Sequence, residues 1–527
     1  MLRSKTIDPW VFFTGAGLVI LFVAWGVIGT ESLASVTQDV LDWVLGSLGW
    51  VFVLSAAGFI AFTAYLGFSR YGTLRLGKDT DRPDFRTSSW IAMMFSAGMG
   101  IGLMFYAVAE PISHLGAPPL GLERAGTPEA ARLAMQYTYF HWALTPWCLY
   151  GIVGLALGYF SLRKGMPNLI STAFYPLIGD RVNGPIGKSI DIFAIWATLF
   201  GSATSLGFGA AQINSGLNFL WDVPISNGLE IAVIGILTLL FVLSAVSGVE
   251  KGIQFLSNVN MVLAILLAVF VLLVGPFTFI WETFTESVGS YLYQFVPMSF
   301  RSGAFGGSEW LSSWTIFYWA WWISWTPFVG TFLARISKGR TIREYLLGVL
   351  LVPSGVTFVW FAIFGGTAID LQLTGRANLI DTAAKPEVSL FSLLEQLPLT
   401  TVTSALVIFL VALFFISGAD AASVVMGMMS SRGNLEPSRS VVIVWGTLTG
   451  LAAAVLLLAG GLTALQQAAI IAAAPFVFII AGMVIGMFKE MRREPLQATV
   501  PARAGAAVQP GFAAPPPTAL GPEGPTS

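Results

Sequence analysis

Residues 318–327 read YWAWWISWTP, with one tyrosine and four tryptophans within eight positions and a proline two residues beyond. At about 100° per residue, Trp314, Tyr318, Trp321, Trp322 and Trp325 share one broad helical face. A second stretch, HWALTPWCLY over 141–150, spreads Trp142, Trp147 and Tyr150 over about 140° of arc. Each stretch holds a proline, and the missing N–H of Pro327 and Pro146 leaves the carbonyls of Ile323 and Trp142 without their helical partners. Converging aromatic faces recognise a cation that has no N–H to donate, such as a quaternary ammonium, at about 0.5–2 kcal/mol per ring once it is desolvated. An ammonium with N–H donors needs carboxylates instead, and no Asp or Glu lies between Glu129 and Asp180. The competing explanation is a belt of tryptophan at the membrane surface. It suits Trp10, Trp50, Trp281 and Trp310, but Trp322 and Trp325 lie more than ten residues inside their apolar run.

A hard cation is the second ligand these residue types suggest. Thr198 and Ser202 stand at i and i+4, so on one helix both hydroxyls point the same way, and the carbonyl of Phe328, just past Trp325, adds a third oxygen. Hydroxyls and unwound backbone can hold sodium without a buried carboxylate. The ordinary alternative is that such hydroxyls bond back to their own helix or mediate helix contacts. Asp420 is an ionisable residue inside an apolar run and hence a candidate proton site, with an interhelical or helix-terminal hydrogen bond as the plainer reading. Glu110, in an Ala-Glu-Pro motif, and His114 are read as structural or gate elements. One cysteine, Cys148, excludes an internal disulfide framework, and two histidines, His114 and His141, argue against a histidine-built metal centre. No set of nucleophile, base and orienter and no P-loop is recognisable, so an enzyme is the least expected class.

The elements that must carry these residues are membrane helices. Of 527 residues 55% are hydrophobic and 10% charged, against about 25% charged in a soluble domain. A net charge of -1 argues against nucleic acid as a partner. Twelve apolar runs, near 10–29, 49–69, 89–109, 135–160, 188–218, 229–247, 258–277, 310–334, 345–367, 402–430, 440–460 and 465–487, are long enough to cross about 30 Å of hydrocarbon. The aromatic segment 281–300 reads as a helix lying along the interface, and the Pro- and Ala-rich tail past Arg493 as disordered. With a cytoplasmic N-terminus, all but five of the 27 Lys and Arg fall inside, the five being Arg124, Arg132, Arg301, Arg376 and Lys385. Both termini are therefore expected in the cytoplasm.

Spans three and eight both open with Ser-Trp, in SWIAMMFSAGMGIGLMF from Ser89 and SWTIFYWAWWISWTPFVG from Ser313. Each is expected to break in mid-membrane, at Gly98, Gly100 and Gly102 and at Pro327 with Gly330. Five spans separate the pair, an odd offset, so the second unit enters from the opposite side. Interrupted helices in corresponding positions of two inverted halves point to the binding site of a secondary transporter. The expected layout is 1–87 with two extra spans, 88–280 as the first five-helix repeat, 281–309 as an interfacial helix and loop, 310–488 as the second repeat and 489–527 as a cytoplasmic tail.

Four blocks, SAGMGIGLMFYAVAEP (96–111), HWALTPWCLYGIVGLALGY (141–159), YWAWWISWTPFVGTFLARISKGRTIREY (318–345) and FFISGADAASVVMG (414–427), resemble the betaine/choline/carnitine transporter family, and the resemblance runs over roughly 8–490. It implies an all-α integral membrane protein of the bacterial inner membrane, with twelve transmembrane helices, inverted repeats of helices 3–7 and 8–12, and assembly as a homotrimer. Carried over by motif, the aromatic box is Trp142, Trp147, Tyr150 and Trp322, with Trp325 nearby on the permeation path. Choline-selective relatives tend to carry aspartate at the last position of the GMGIG pattern, where this chain has Gly102. An acidic group there would offset choline's unbalanced charge. A zwitterion brings its own anion and can use backbone groups of Met99, Gly100 and Gly102 at the broken helix, so glycine betaine is the expected substrate.

The resemblance also implies the coupling ion. Thr198, Ser202 and Phe328 match one sodium site of the family; the second uses backbone oxygens of Ser96, Met99 and Phe414 with hydroxyls at two successive positions of span ten. Those positions read Ser417 and Gly418, where sodium-coupled relatives typically have Thr-Ser, so one oxygen is missing. No Lys or Arg lies between Lys188 and Lys251 to replace the ion with a fixed charge. The expectation is sodium symport of a small zwitterion with no cofactor beyond Na+. The alternatives are proton-coupled or exchange transport of choline, carnitine or ectoine, and a sensor that binds betaine without moving it.

Overall fold

The computed structural model describes residues 7–98, 100–247 and 250–494. One compact unit covers Met1–Arg493; of the second, Glu494–Ser527, Glu494 alone is described. Among the described residues there is no strand, only an isolated antiparallel bridge between Arg75 and Thr341.

Helices α1 (Pro9–Ile28) and α2 (Thr30–Phe68) come first, and the Asp8 carboxylate starts α1 by accepting from the backbone N–H groups of Trp10 and Val11 at 3.0 and 3.2 Å. The third expected span is divided into α3 (Thr87–Gly98) and α4 (Ile101–Gly116), with Gly100 extended between them at φ -168° and ψ -179°. The fourth is divided too. Helix α5 (Pro128–Trp142), capped by Thr127, gives way to α6 (Leu144–Gly158) at Ala143, whose φ of -101° and ψ of -114° are not helical. Next come α7 (Tyr175–Ile178), α8 (Pro185–Trp221), α9 (Asn227–Ser247), α10 (Glu250–Val274) and α11 (Phe277–Ser299), the last turned by 110° from the helix before it. The second half holds α12 (Ser308–Leu311), α13 (Phe317–Ile336), α14 (Ile342–Leu373), α15 (Ser389–Glu395), α16 (Thr400–Met429) and α17 (Arg439–Met491). A capping box starts α14: Thr341 Oγ1 accepts from the Glu344 N–H at 3.2 Å and Glu344 Oε2 from the Thr341 N–H at 2.8 Å.

Among the described residues seven helices, with Pro128–Arg163 counted as one, are long and apolar enough to cross a membrane, or eight if the bent pair ending in Phe277–Ser299 is one span. Helix α17 holds two of the expected apolar runs in its 53 residues, which turn at Gly460 and Gly461, the latter at φ 63° where glycine is favoured. The two halves of span three are only 12 and 16 residues long. The break expected in span eight is corrected by the structure. Helix α13 runs on through Pro327, because the Thr326 hydroxyl donates to the Ile323 carbonyl at 2.7 Å and replaces the N–H that proline lacks.

Large apolar side chains such as Phe13, Leu21, Leu239 and Leu273 stand exposed on the outer helices, as they do where the solvent is hydrocarbon. Helix α13 lies against α6, α8 and α17 at the centre. Its crossing with α6 is close: a Cβ on Gly154 would stand 2.8 Å from the Gly330 carbonyl oxygen, so only glycine lets the two backbones touch. That approach sets Tyr150 of α6 opposite Trp322 of α13, ring centroids 6.2 Å apart.

Candidate substrate and ion site

Trp142, Trp147, Tyr150, Trp322 and Trp325 line one cavity, together with Trp321, Gly100 and Gly102. Trp142 meets Trp322 edge to face at 4.9 Å, and Trp321 stacks on Trp322 at 4.7 Å. Trp147 packs against Tyr150 at 5.4 Å. Trp321 was visible in the sequence as part of the aromatic face but was not assigned to the box; angular position alone does not say which side of a broad face meets a cavity.

The break at Ala143 builds this wall. Ending α5 there frees the His141 carbonyl, Pro146 has no N–H for that of Trp142, and partners from the second half of the chain take both. Trp322 Nε1 donates to the His141 carbonyl at 2.9 Å, and the Thr357 hydroxyl donates to the Trp142 carbonyl, the one Pro146 was expected to free, at 3.2 Å. The indole of Trp142 is held at its other edge, where Nε1 donates to Glu110 Oε2 at 2.6 Å. The Tyr318 hydroxyl donates to the same oxygen. Glu110 Oε1 faces His141 Nδ1 at 2.6 Å and His114 Nε2 at 3.3 Å, and His141 Nε2 is 3.0 Å from Thr315 Oγ1.

Glu110, His114 and His141 are completely buried, and a carboxylate in that setting is tolerable only when its lone pairs are met. The three side chains offer a potential metal-ligand group within 4.8 Å, but the separations of 2.6 and 3.3 Å are those of hydrogen bonds. Sequence reasoning saw Glu110 as a gate or structural residue and missed its grip on Trp142. The available signal was the one applied to Asp420, an ionisable side chain inside an apolar helix.

A second cavity, of about 890 Å³ empty volume, shares Gly100, Ile101, Ser205, Trp325 and Val329 with the first. Ser202, Phe328, Phe414, Ser417 and Gly418 are also in its wall. Members of both expected sodium sites therefore border one space. Ser417 Oγ donates to the Leu413 and Phe414 carbonyls at 2.9 and 3.3 Å. Thr198 is not brought to this wall: it is fully buried, and its hydroxyl donates back to the Ala194 carbonyl at 2.8 Å, a bond that a Thr in helix makes readily. The Ser96 side chain and all of Met99 lie outside the described residues. Asp420 is half-buried on α16, beside Ala421, which lines the second cavity.

A helical membrane protein whose helices are interrupted around an aromatic cavity is built as a transporter, and the comparisons with known proteins agree. The chain belongs to the betaine/carnitine/choline family of transporters, which it matches over residues 10–496, and is not an enzyme. It is 49% identical over 487 residues to the glycine betaine transporter OpuD of Bacillus subtilis (strain 168), covering 92% of this chain and 94% of that one. It is 42% identical over 497 residues to the betaine/ectoine transporter LcoP of Corynebacterium glutamicum, covering 93% and 78%. To the high-affinity choline transport protein of Escherichia coli (strain K12) it is 40% identical over 497 residues, covering 93% and 73%.

Proposed function

We propose that this protein takes up a quaternary ammonium zwitterion, glycine betaine before others, by sodium symport and alternating access across the bacterial plasma membrane. The observation that carries the proposal is the convergence of Trp142, Trp147, Tyr150 and Trp322 on a cavity that also borders Gly100 and Gly102. The rings receive the trimethylammonium group. Gly100 is the N-cap of α4, and the first N–H groups of a helix lack internal partners, so the broken span offers donors to the carboxylate. The similarity to a transporter named for glycine betaine supports this substrate. Choline and ectoine, supported by the names of other relatives, and carnitine, supported by the family's description, form the second reading, and Gly102 disfavours choline because no acidic group balances its charge.

In this proposal sodium takes oxygens of Ser202, Phe328, Phe414 and Ser417 around the second cavity, with Thr198, Ser96 and Met99 as the remaining ligands that the family pattern assigns. Gly418 leaves the second site one hydroxyl short. The same proposal includes twelve spans, two inverted five-helix repeats, cytoplasmic termini and assembly as a homotrimer. Titration calorimetry on the purified protein tests the substrate class. Glycine betaine should bind in sodium while glycine, its demethylated parent, should not; glycine binding as tightly as betaine would overturn the cage.

A further inference from the structure

Glu110 does not line the aromatic cavity, yet the wall of that cavity hangs on it. An indole N–H can only donate, so Glu110 Oε2 is an acceptor for Trp142 Nε1 at 2.6 Å, and it accepts from the Tyr318 hydroxyl as well. On the other side His141 Nδ1 stands 2.6 Å from Oε1, while His141 Nε2 meets the Thr315 hydroxyl at 3.0 Å. A neutral imidazole donates from one nitrogen and accepts at the other, so a Thr315 hydroxyl donating to Nε2 leaves the Nδ1–H for Glu110. Trp142, Tyr318 and His141 then all donate, and a carboxylate with two acceptor oxygens suits them where an amide would not. The same pair also reaches the other half of the cage. The His141 ring stacks on Tyr318 at 4.7 Å, Tyr318 on Trp322 at 5.6 Å and Trp322 on Trp321 at 4.7 Å, with Tyr318 and Trp321 6.2 Å apart, so four rings pack as a cluster of which His141 and Tyr318 contact Glu110.

We infer that Glu110, braced by His141, is the positioning residue of the cage: its carboxylate sets the tilt of Trp142 and anchors the stack that presents Trp322. The inference rests on the proposed binding of a quaternary ammonium in this cavity. Glu110 acts through rings and touches no ligand. It links α4, α5 and α13, whose residues Glu110, Trp142 and Tyr318 are 32 and 208 positions apart. An indole that donates to an anion also carries more electron density on its face, which strengthens its hold on a cation.

The test uses the full chain with glycine betaine as the probe, by calorimetry for Kd and by uptake into proteoliposomes in saturating sodium for KM and Vmax. Glu110→Gln keeps the shape but turns an N–H against one set of donors. Its Kd and KM for betaine should rise about tenfold, the size of one charge-assisted hydrogen bond, with Vmax and sodium half-saturation near wild type. Tyr318→Phe keeps the ring and removes one donor, and its Kd should rise about threefold. A Glu110 with a merely structural role would lower Vmax and the yield of folded protein at unchanged KM, and that result would overturn the inference. If Glu110→Gln does not fold, Tyr318→Phe decides: a wild-type Kd overturns the inference. Failure of the wild-type protein to bind betaine would overturn both this inference and the proposed function, whereas wild-type binding with unaltered variants overturns this inference alone.

Discussion

Gly102 is the position where a single methyl group should close the cage. A Cβ there would lie 2.8 Å from Trp321 Cη2 and 3.0 and 3.5 Å from Trp142 Cη2 and Cζ3, against about 3.5–4.0 Å for comfortable carbon contacts. Neither ring has an easy retreat. Trp321 is buried and stacked between Phe317 at 5.5 Å and Trp322 at 4.7 Å, and Trp142 is pinned to Glu110 by its Nε1. Overpacking of this kind costs about 1–3 kcal/mol, and the softest direction for the rings is into the cavity. Gly102→Ala should therefore weaken glycine betaine binding by about 5- to 150-fold. Titration calorimetry in saturating sodium reads the change, with thermal unfolding as the check that the variant is folded. A folded Gly102→Ala protein that binds betaine within about twofold of wild type would refute the packing argument. Gly102→Asp makes the same overlap and adds a negative charge, so it should lose more affinity for betaine than for choline.

Trp322→Leu keeps an apolar side chain but removes a π face and the donor to the His141 carbonyl, and betaine Kd should rise about tenfold or more by calorimetry; unchanged affinity would remove Trp322 from the cage. Asp420→Asn should leave uptake and its pH profile unaltered, and loss of a pH dependence present in the wild type would instead assign Asp420 a proton. Asp8 is the third site: burial pushes its carboxyl up, but the Lys188 hydrogen bond, the Val11 and Trp10 N–H groups and the Lys188 charge hold it below its ordinary value. A depressed folded value gives stability that is present above the unfolded value and lost as pH falls through the folded one. Asp8→Asn should thus lower the unfolding temperature at neutral pH, and the gap to wild type should shrink as pH drops below about 3.9; a constant gap would separate Asp8 from that linkage.

Much of this site is legible in local pattern. Trp142, Trp147, Tyr150, Trp321, Trp322 and Trp325 line one cavity because helical period and proline placement are local properties, readable within ten residues. The glycine run at 98–102 likewise marks the divided span, with Gly100 extended between two helices. Pro327 shows the limit of the same reasoning: a Thr one residue earlier replaces the lost N–H, so the helix persists. Glu110 shows a different limit, since its partners are set by packing between helices far apart in the chain. Thr198 had two local readings, a sodium ligand and a hydroxyl bonded back to its own helix, and its hydroxyl donates to the Ala194 carbonyl. Gly460 and Gly461 join two expected runs into one long bent helix, so the number of helices and the number of apolar runs differ.

Uptake of labelled glycine betaine into proteoliposomes, with an inward sodium gradient compared against an equal potassium gradient, tests the central claim most directly. Accumulation above equilibrium with sodium and none with potassium is the predicted result. Equal uptake under both gradients would contradict sodium coupling, leave the aromatic cage standing, and turn attention to the hydroxyl missing at Gly418.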